Sequence, residues 1–162
     1  MVTAPRFRAA LLEVLDEALA VEDAACGLLQ VWDPARGGVE VVAQRGFDRE
    51  FLDQFRLVRP GDPSTCGRAL GLKQRVLIPD VDADPFFTRF LPLARRAGFR
   101  AVQSTPIMGT ENQILGILST HFIGVRYLSR AATSALDRCA AKAGQLIEAE
   151  LAASSSGPRA SD

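Results

Sequence analysis

FRAVQSTPIM (99–108) and ILGILSTHF (114–122) are two β-rich runs that flank the turn Gly109-Thr110-Glu111-Asn112. Their reading decides the fold. Side chains alternate along a strand, so Ile117, Ser119 and His121 share one face of the second run, and Leu118, Thr120 and Phe122 share the other. One face offers a hydroxyl and an imidazole; the other is mostly apolar.

Upstream of the pair, Gly98 stands where a helix C-cap glycine belongs. It closes a segment that starts with Asp84 as N-cap and Pro85 at the first helical position, with Pro92 as an internal kink. Before it lie a short strand over 75–80 and a helix over 66–74 capped by Ser64 or Thr65. The loop 59–65 holds two prolines and a glycine and must break structure. Asp48 caps a further short helix through Phe51, Leu52 and Phe55. Runs 26–33 and 39–46 surround the turn-rich 34–38 and read as an antiparallel hairpin. Phe7, Leu11, Val14, Leu15, Ala18 and Leu19 fall at helical period, giving a helix from about Pro5 to Asp23. At the other end Ser129 caps the longest helix, to about Ala152.

These connections are too short or too turn-like for successive βαβ crossovers. The expected class is therefore α+β with a mainly antiparallel central sheet. The two terminal helices cover one face, and the helical segments between 48 and 97 cover the other and frame a ligand pocket. The domain is expected over 6–152, with an extension at 1–5 and a small, polar, disordered tail at 153–162.

A chain of 162 residues makes about one domain. Nineteen basic residues balance nineteen acidic ones, which argues against a nucleic-acid partner. No run approaches 18 apolar residues, so no membrane span is expected. Glu13, Asp16 and Glu17 interrupt the first apolar stretch, unlike a secretory core. Cys26, Cys66 and Cys139 are odd in number and lack CxxC pairing. Reduced thiols in a cytoplasmic protein suit them better than disulfides or zinc.

Two readings of His121 stand: a hydrogen-bonded core histidine, or a pocket histidine that touches a ligand. Cys66 sits at a helix N-terminus, where backbone N–H groups and the helix dipole favour a thiolate. The alternative is a small buried packing residue. Cys26 and Cys139 read as packing residues. The acids of DVDAD (80–84) are not spaced as a calcium loop and read as turn and cap chemistry. Arg95, Arg96 and Arg100 read as a solvated face.

VVAQRGFDREFLDQF (41–55), GDPSTCGRAL (61–70), VLIPDVDADPFF (76–87) and GFRAVQSTPIMGTENQILGILSTHF (98–122) occur in this order. Together they resemble the GAF domain, a small-molecule sensor module of bacterial signalling proteins and of cyclic-nucleotide phosphodiesterases. The resemblance covers about residues 6–152. In bilin-binding members the last strand carries a histidine that meets the chromophore, and His121 matches it. Ser104 matches one of two ligand-facing serines, and Val102 stands in place of the other. The bilin-attaching cysteine belongs near 90–92 or ahead of the domain. Neither place holds one, so no covalent bilin is expected. Other members reduce free methionine sulfoxide. Cys66 is similar to one of their cysteines, but their nucleophile belongs between 80 and 94, where this chain has none. The NKFDE set of cyclic-nucleotide-binding members has no placed counterpart.

The resemblance implies a non-catalytic sensory module that binds an unidentified small molecule through Cys66, Val102, Ser104, Ile117, Ser119 and His121. The cofactor, if any, stays unnamed. The terminal helices would signal to a partner protein in trans. The alternatives are a methionine sulfoxide reductase-like enzyme using Cys66, or a dimerisation module with a vestigial pocket. A homodimer is expected through Leu136, Ala140, Ala143 and Ile147 of the last helix with Leu12, Leu15 and Leu19 of the first.

Overall fold

The structure, a computed structural model, describes residues 4–157. The sequence expectations for residues 1–3 and 158–162 lie outside the described residues.

Proline in the first turn opens α1 (Pro5–Glu22), and Asp23, left-handed at φ 52, closes it. The hairpin β1 (Cys26–Asp33) and β2 (Gly38–Arg45) follows. In α2 (Arg49–Gln54) the cap is Asp48, whose carboxylate accepts from the Phe51 N–H at 2.9 Å. After β3 (Leu57–Val58), Ser64 caps α3 (Thr65–Leu72) by accepting from the Gly67 N–H at 3.2 Å. Then come β4 (Val76–Ile78), a 3₁₀ turn (Thr88–Phe90) and α4 (Leu91–Ala97), which ends on Gly98 at φ 81. The long strands β5 (Ala101–Met108) and β6 (Ile114–Phe122) lead to α5 (Arg130–Ser155), capped by Ser129.

The sheet has six strands in the order β3-β2-β1-β6-β5-β4, and every neighbouring pair is antiparallel. α1 and α5 pack on one face over Leu29, Val31, Ile107, Leu115 and Leu118. On the other face, Phe47, Phe51, Phe55, Phe87, Phe90 and Phe99 form an aromatic layer over Leu28, Val102 and Ile117. This is the expected α+β sandwich.

Three sequence expectations need correction. No helix begins at Asp84-Pro85: residues 85–87 form a turn, and the regular helix starts only at Leu91. Pro92 lacks an N–H and is tolerated in a first turn but not in a helix interior, so α4 begins where Pro92 fits. The terminal helix does not stop at Ala152 but runs to Ser155, so residues 153–155 are helical and not part of a disordered tail. Ser154 and Ser155 donate their hydroxyls to carbonyls one turn back, each at 2.9 Å. Most of the stripe expected to form a dimer is used within the domain, with Leu12 and Leu19 left half-buried. Leu15, Leu136, Ala143 and Ile147 are at most 1% exposed, packed between helices and sheet.

The helix face of the sheet also buries polar groups. Gln103 and Thr120 are paired across β5 and β6, and their side-chain polar atoms have no hydrogen-bond partner. Glu22, 1% exposed, ends α1 in the same layer with both carboxyl oxygens lacking one; Arg126 lies at 3.9 Å. Burial raises the Glu22 carboxyl above its ordinary range, against the attraction of Arg126 and Arg75. The folded state therefore favours the neutral acid. Stability falls as pH climbs through the unfolded and then the raised folded pKa, and stays lower above it. Glu22→Gln is expected to raise Tm at pH 7 by roughly 2–4 °C and to change it little at pH 4. A lower Tm at pH 7 in calorimetry would show that the ion pair, not burial, dominates at this position.

Candidate ligand pocket

The floor of the pocket follows from strand register. Ser104 lies opposite Ser119 and Val102 opposite His121 on β5 and β6, while Leu28 of β1 lies opposite Ser119. All five point to the aromatic side of the sheet. The roof comes from Phe51 and Phe55 of α2, the Ser64-Thr65-Cys66 start of α3, and Phe87 and Phe99. Between floor and roof is a cavity of about 20 Å³, room for one or two waters.

A partly buried ion pair holds the roof together. Arg68 of α3 grips Asp84 through two hydrogen bonds of 3.0 and 2.8 Å and donates to the Pro63 carbonyl at 2.8 Å. Asp84 also accepts from the N–H groups of Phe86 and Phe87 at 3.0 and 2.9 Å. The planar guanidinium fork suits such two-pronged recognition. Gly67 lets the 59–64 loop fold against α3: a Cβ there would lie 2.4 Å from the Asp62 carbonyl oxygen. The remaining acids of the 80–84 run meet the nearby arginines outside, Arg100 with Asp80 at 2.9 Å and Arg95 with Asp82 at 3.6 Å. Arg96 pairs with Asp48 and Glu50. The basic cluster is thus a solvated, paired face and supplies no cation to the pocket.

The lining is electrically neutral. His121 is 4% exposed and sits edge-on to Phe47 and Phe99, with centroids 4.9 and 4.6 Å away. Burial drives its imidazole down to about 3 from an ordinary 6.5, with a weaker opposing bond to the Cys26 backbone. Nδ1 has no hydrogen-bond partner, and neither has the Thr65 hydroxyl across the cavity. Ser104 and Ser119 hydroxyls bond each other at 2.7 Å. Burial raises the Cys66 thiol, although its contact with the Ser64 hydroxyl at 3.3 Å and a bond to Gly67 pull the other way. The thiolate favoured by position alone is therefore suppressed, because desolvation penalises the ion more than the helix N-terminus stabilises it.

Of the residues singled out from sequence, Val102, Ser104, Ser119, His121 and Cys66 meet in this one cavity. Ile117 does not line it; it lies further along the same face, fully buried in the apolar layer. Phe51, Phe55, Ser64, Thr65 and Phe87 lie in the segments expected to frame the pocket, whereas Leu28 and Phe99 carry no such signal in the sequence. The signal for Phe51, Phe55 and Phe87 was the density of phenylalanine in segments framing the roof. Ser64 and Thr65 read only as helix caps. Cys26 and Cys139 are buried and free, and burial pushes the Cys26 thiol up to about 12. Among the described residues no group of three or more His, Cys, Asp or Glu side chains is placed to hold a metal.

A sequence model of the GAF domain family matches residues 5–148. No curated protein matches the chain significantly. The fold is similar to that of the GAF domain from a phosphoenolpyruvate-protein phosphotransferase of Coxiella burnetii. There the TM-score is 0.79 at 16% identity, with 94% of this chain and 89% of that chain covered. A domain described as that of a two-component sensor histidine kinase from Sinorhizobium meliloti aligns with TM-score 0.76, 17% identity and coverage of 94% and 96%. The type II free methionine-R-sulfoxide reductase of Thermoplasma acidophilum aligns with TM-score 0.71, 14% identity and coverage of 89% and 94%.

A depressed histidine pKa means that the unfolded chain takes up a proton before the folded one does. The contribution of neutral His121 is complete above pH 6.5 and is lost as pH falls toward about 3. At about 1.4 kcal/mol per unit, this is on the order of 5 kcal/mol over the window. Urea unfolding of wild type is therefore expected to steepen in pH dependence below 6.5, and His121→Phe is expected to lose that part of the slope. Equal slopes in the two proteins would place the His121 pKa near its ordinary value.

Proposed function

The chain belongs to the GAF domain family, and from that premise we propose that it is a non-catalytic sensory or regulatory module for a small molecule. The observation that carries this reading is a cavity between sheet and roof whose lining includes His121 and Thr65, each with a buried side-chain polar atom, Nδ1 and Oγ1, that has no hydrogen-bond partner. Leaving such groups unsatisfied costs about 1–3 kcal/mol each, a penalty that a bound molecule relieves. A vestigial pocket would sooner be packed with apolar side chains.

The route for a signal is short. Ser104, Ser119 and His121 face the cavity, and Gln103 and Thr120, on the same two strands, face α1 and α5. A ligand that binds one strand arrangement better than another shifts the population of helix arrangements behind it. In this reading α1 and α5 pass the change on to a signalling partner. Among the described residues no helix is long and apolar enough to cross a membrane. The proposed homodimer pairs through residues outside the buried stripe, such as the exposed Val21, Ile123 and Tyr127.

Similarity to a methionine sulfoxide reductase, together with Cys66 in the cavity wall, favours the enzymatic reading as the second one. Against it, the Cys66 thiol is held protonated and no second cysteine lines the cavity.

Native mass spectrometry of protein purified from its own host is expected to show a retained small molecule, released on denaturation. Thiol-dependent reduction of free methionine sulfoxide is expected to stay at background. Turnover that disappears in Cys66→Ser would replace the sensor reading with the enzyme.

A further inference from the structure

We propose that the pocket takes an uncharged molecule, apolar over most of its surface and carrying one polar group for His121, and that it enters from an outer groove past the Phe55 ring. The inference rests on the sensor reading for the use of the pocket and adds the chemistry and the route of its ligand.

The charge follows from the lining. No Asp, Glu, Lys or Arg contributes to the cavity wall. Its two titratable members are neutral, since burial keeps His121 unprotonated and Cys66 a thiol. The α3 N-terminus offers partial positive charge, but the Ser64 hydroxyl already accepts from Gly67 there. A bare ion in such a place would be desolvated with no counter-charge, at a cost of several kcal/mol. Zwitterions are excluded on the same ground.

The single polar group follows from the unpartnered atoms. A neutral imidazole offers one donor and one acceptor, and a hydroxyl offers both. A ligand hydroxyl or N–H near His121 and Thr65 would satisfy them, and because the cavity holds only about 20 Å³ its apolar body is admitted only as the rings of Phe51, Phe55, Phe87 and Phe99 move apart.

The route follows from a second space. A groove of about 230 Å³ on the outer surface shares Phe55 and Ser64 with the cavity and holds Asp62 and Arg89 in its own wall. The ring of Phe55 stands between the two, 4.7 Å from Phe51 and 5.3 Å from Phe90. Its backbone is pinned, because Gln30 donates to the Phe55 carbonyl at 3.2 Å. Displacement of the ring would join the two spaces while this hydrogen bond holds the chain in place. The charged side chains remain outside, and only the uncharged end passes.

Three probes of nearly equal shape test this: phenol, benzene and benzoate, titrated into wild type, Phe55→Ala, Phe55→Leu and His121→Phe. Binding is read from Tm and from side-chain NMR shifts. Phenol is expected to bind Phe55→Ala at least about tenfold more tightly than wild type, as the removed ring opens space. Should truncation to alanine prevent folding, Phe55→Leu is expected to show the same direction. Benzene is expected to bind about fivefold more weakly than phenol, a preference lost in His121→Phe. Benzoate is expected to bind at least about 100-fold more weakly than phenol. Benzoate within tenfold of phenol overturns the uncharged assignment. Equal phenol and benzene affinity overturns the role of His121, and a phenol association rate, read from NMR exchange, that neither folded Phe55 variant raises overturns the route. A charged molecule retained in native mass spectrometry would sink this inference and leave the sensor reading intact.

Discussion

The register of β6 against its two neighbours is the constraint on which the rest depends. A strand that slips by one residue turns every side chain to the opposite face. In β6 that parity is set by an irregularity: Ile107 pairs with Gly116 and Met108 with Ile114, so Leu115 is an extra residue. Ile114 and Ile117 consequently face the aromatic layer, and Leu115 and Leu118 face the helices. Gly116 permits the close approach, since a Cβ there would sit 2.2 Å from the Gln30 carbonyl oxygen. Beyond the bulge the alternation is regular, and Ser119 and His121 arrive on the pocket side.

Floor and roof differ in how they are held. The floor is the centre of the sheet, with β1 and β5 paired to β6 along nearly its whole length. The roof is made of short elements, two helices of six and eight residues and a turn, tied by Arg68–Asp84 and by stacked rings such as Phe47 on Phe51 at 3.9 Å. Segments of this kind open locally at lower free energy than central strands. The pocket thus combines a rigid polar floor with a cover that can give way.

The same strands bury polar groups on both faces, which is unusual in a sheet covered on both sides. Such groups are costly unless satisfied, and they make the packing of each face sensitive to small shifts of the other. Ion pairs between Lys142 and Glu17, at 2.6 Å, and between Arg45 and Asp16, at 2.8 Å, hold α1 to α5 and to β2 at the surface. They are exposed and contribute little energy, so the docking of α1 rests mainly on Leu11, Val14, Leu15 and Ala18.

Local chemistry was legible in the sequence wherever a residue acts on its own neighbours. Asp48, Ser64 and Ser129 cap the helices that follow them, Gly98 ends α4, and alternation along β6 puts Ser119 and His121 on one face. These features depend on backbone groups within a turn or on the two-residue period, and the sequence states both. The two residues of β3 have no period to read. The start of α4 was hidden because Asp84-Pro85 and Pro92 both fit a helix start, and only the engagement of Asp84 by Arg68 decides between them. The sequence by itself therefore determined the elements other than β3 and the start of α4, the layers and most of the pocket floor. Tertiary structure alone decided that α1, α5 and the sheet consume the apolar stripe of Leu136 and Ile147. It also decided that Cys66 is desolvated and that phenylalanines distant in sequence close over His121. Burial is a property of what the remaining chain places around a side chain, and no local pattern carries it.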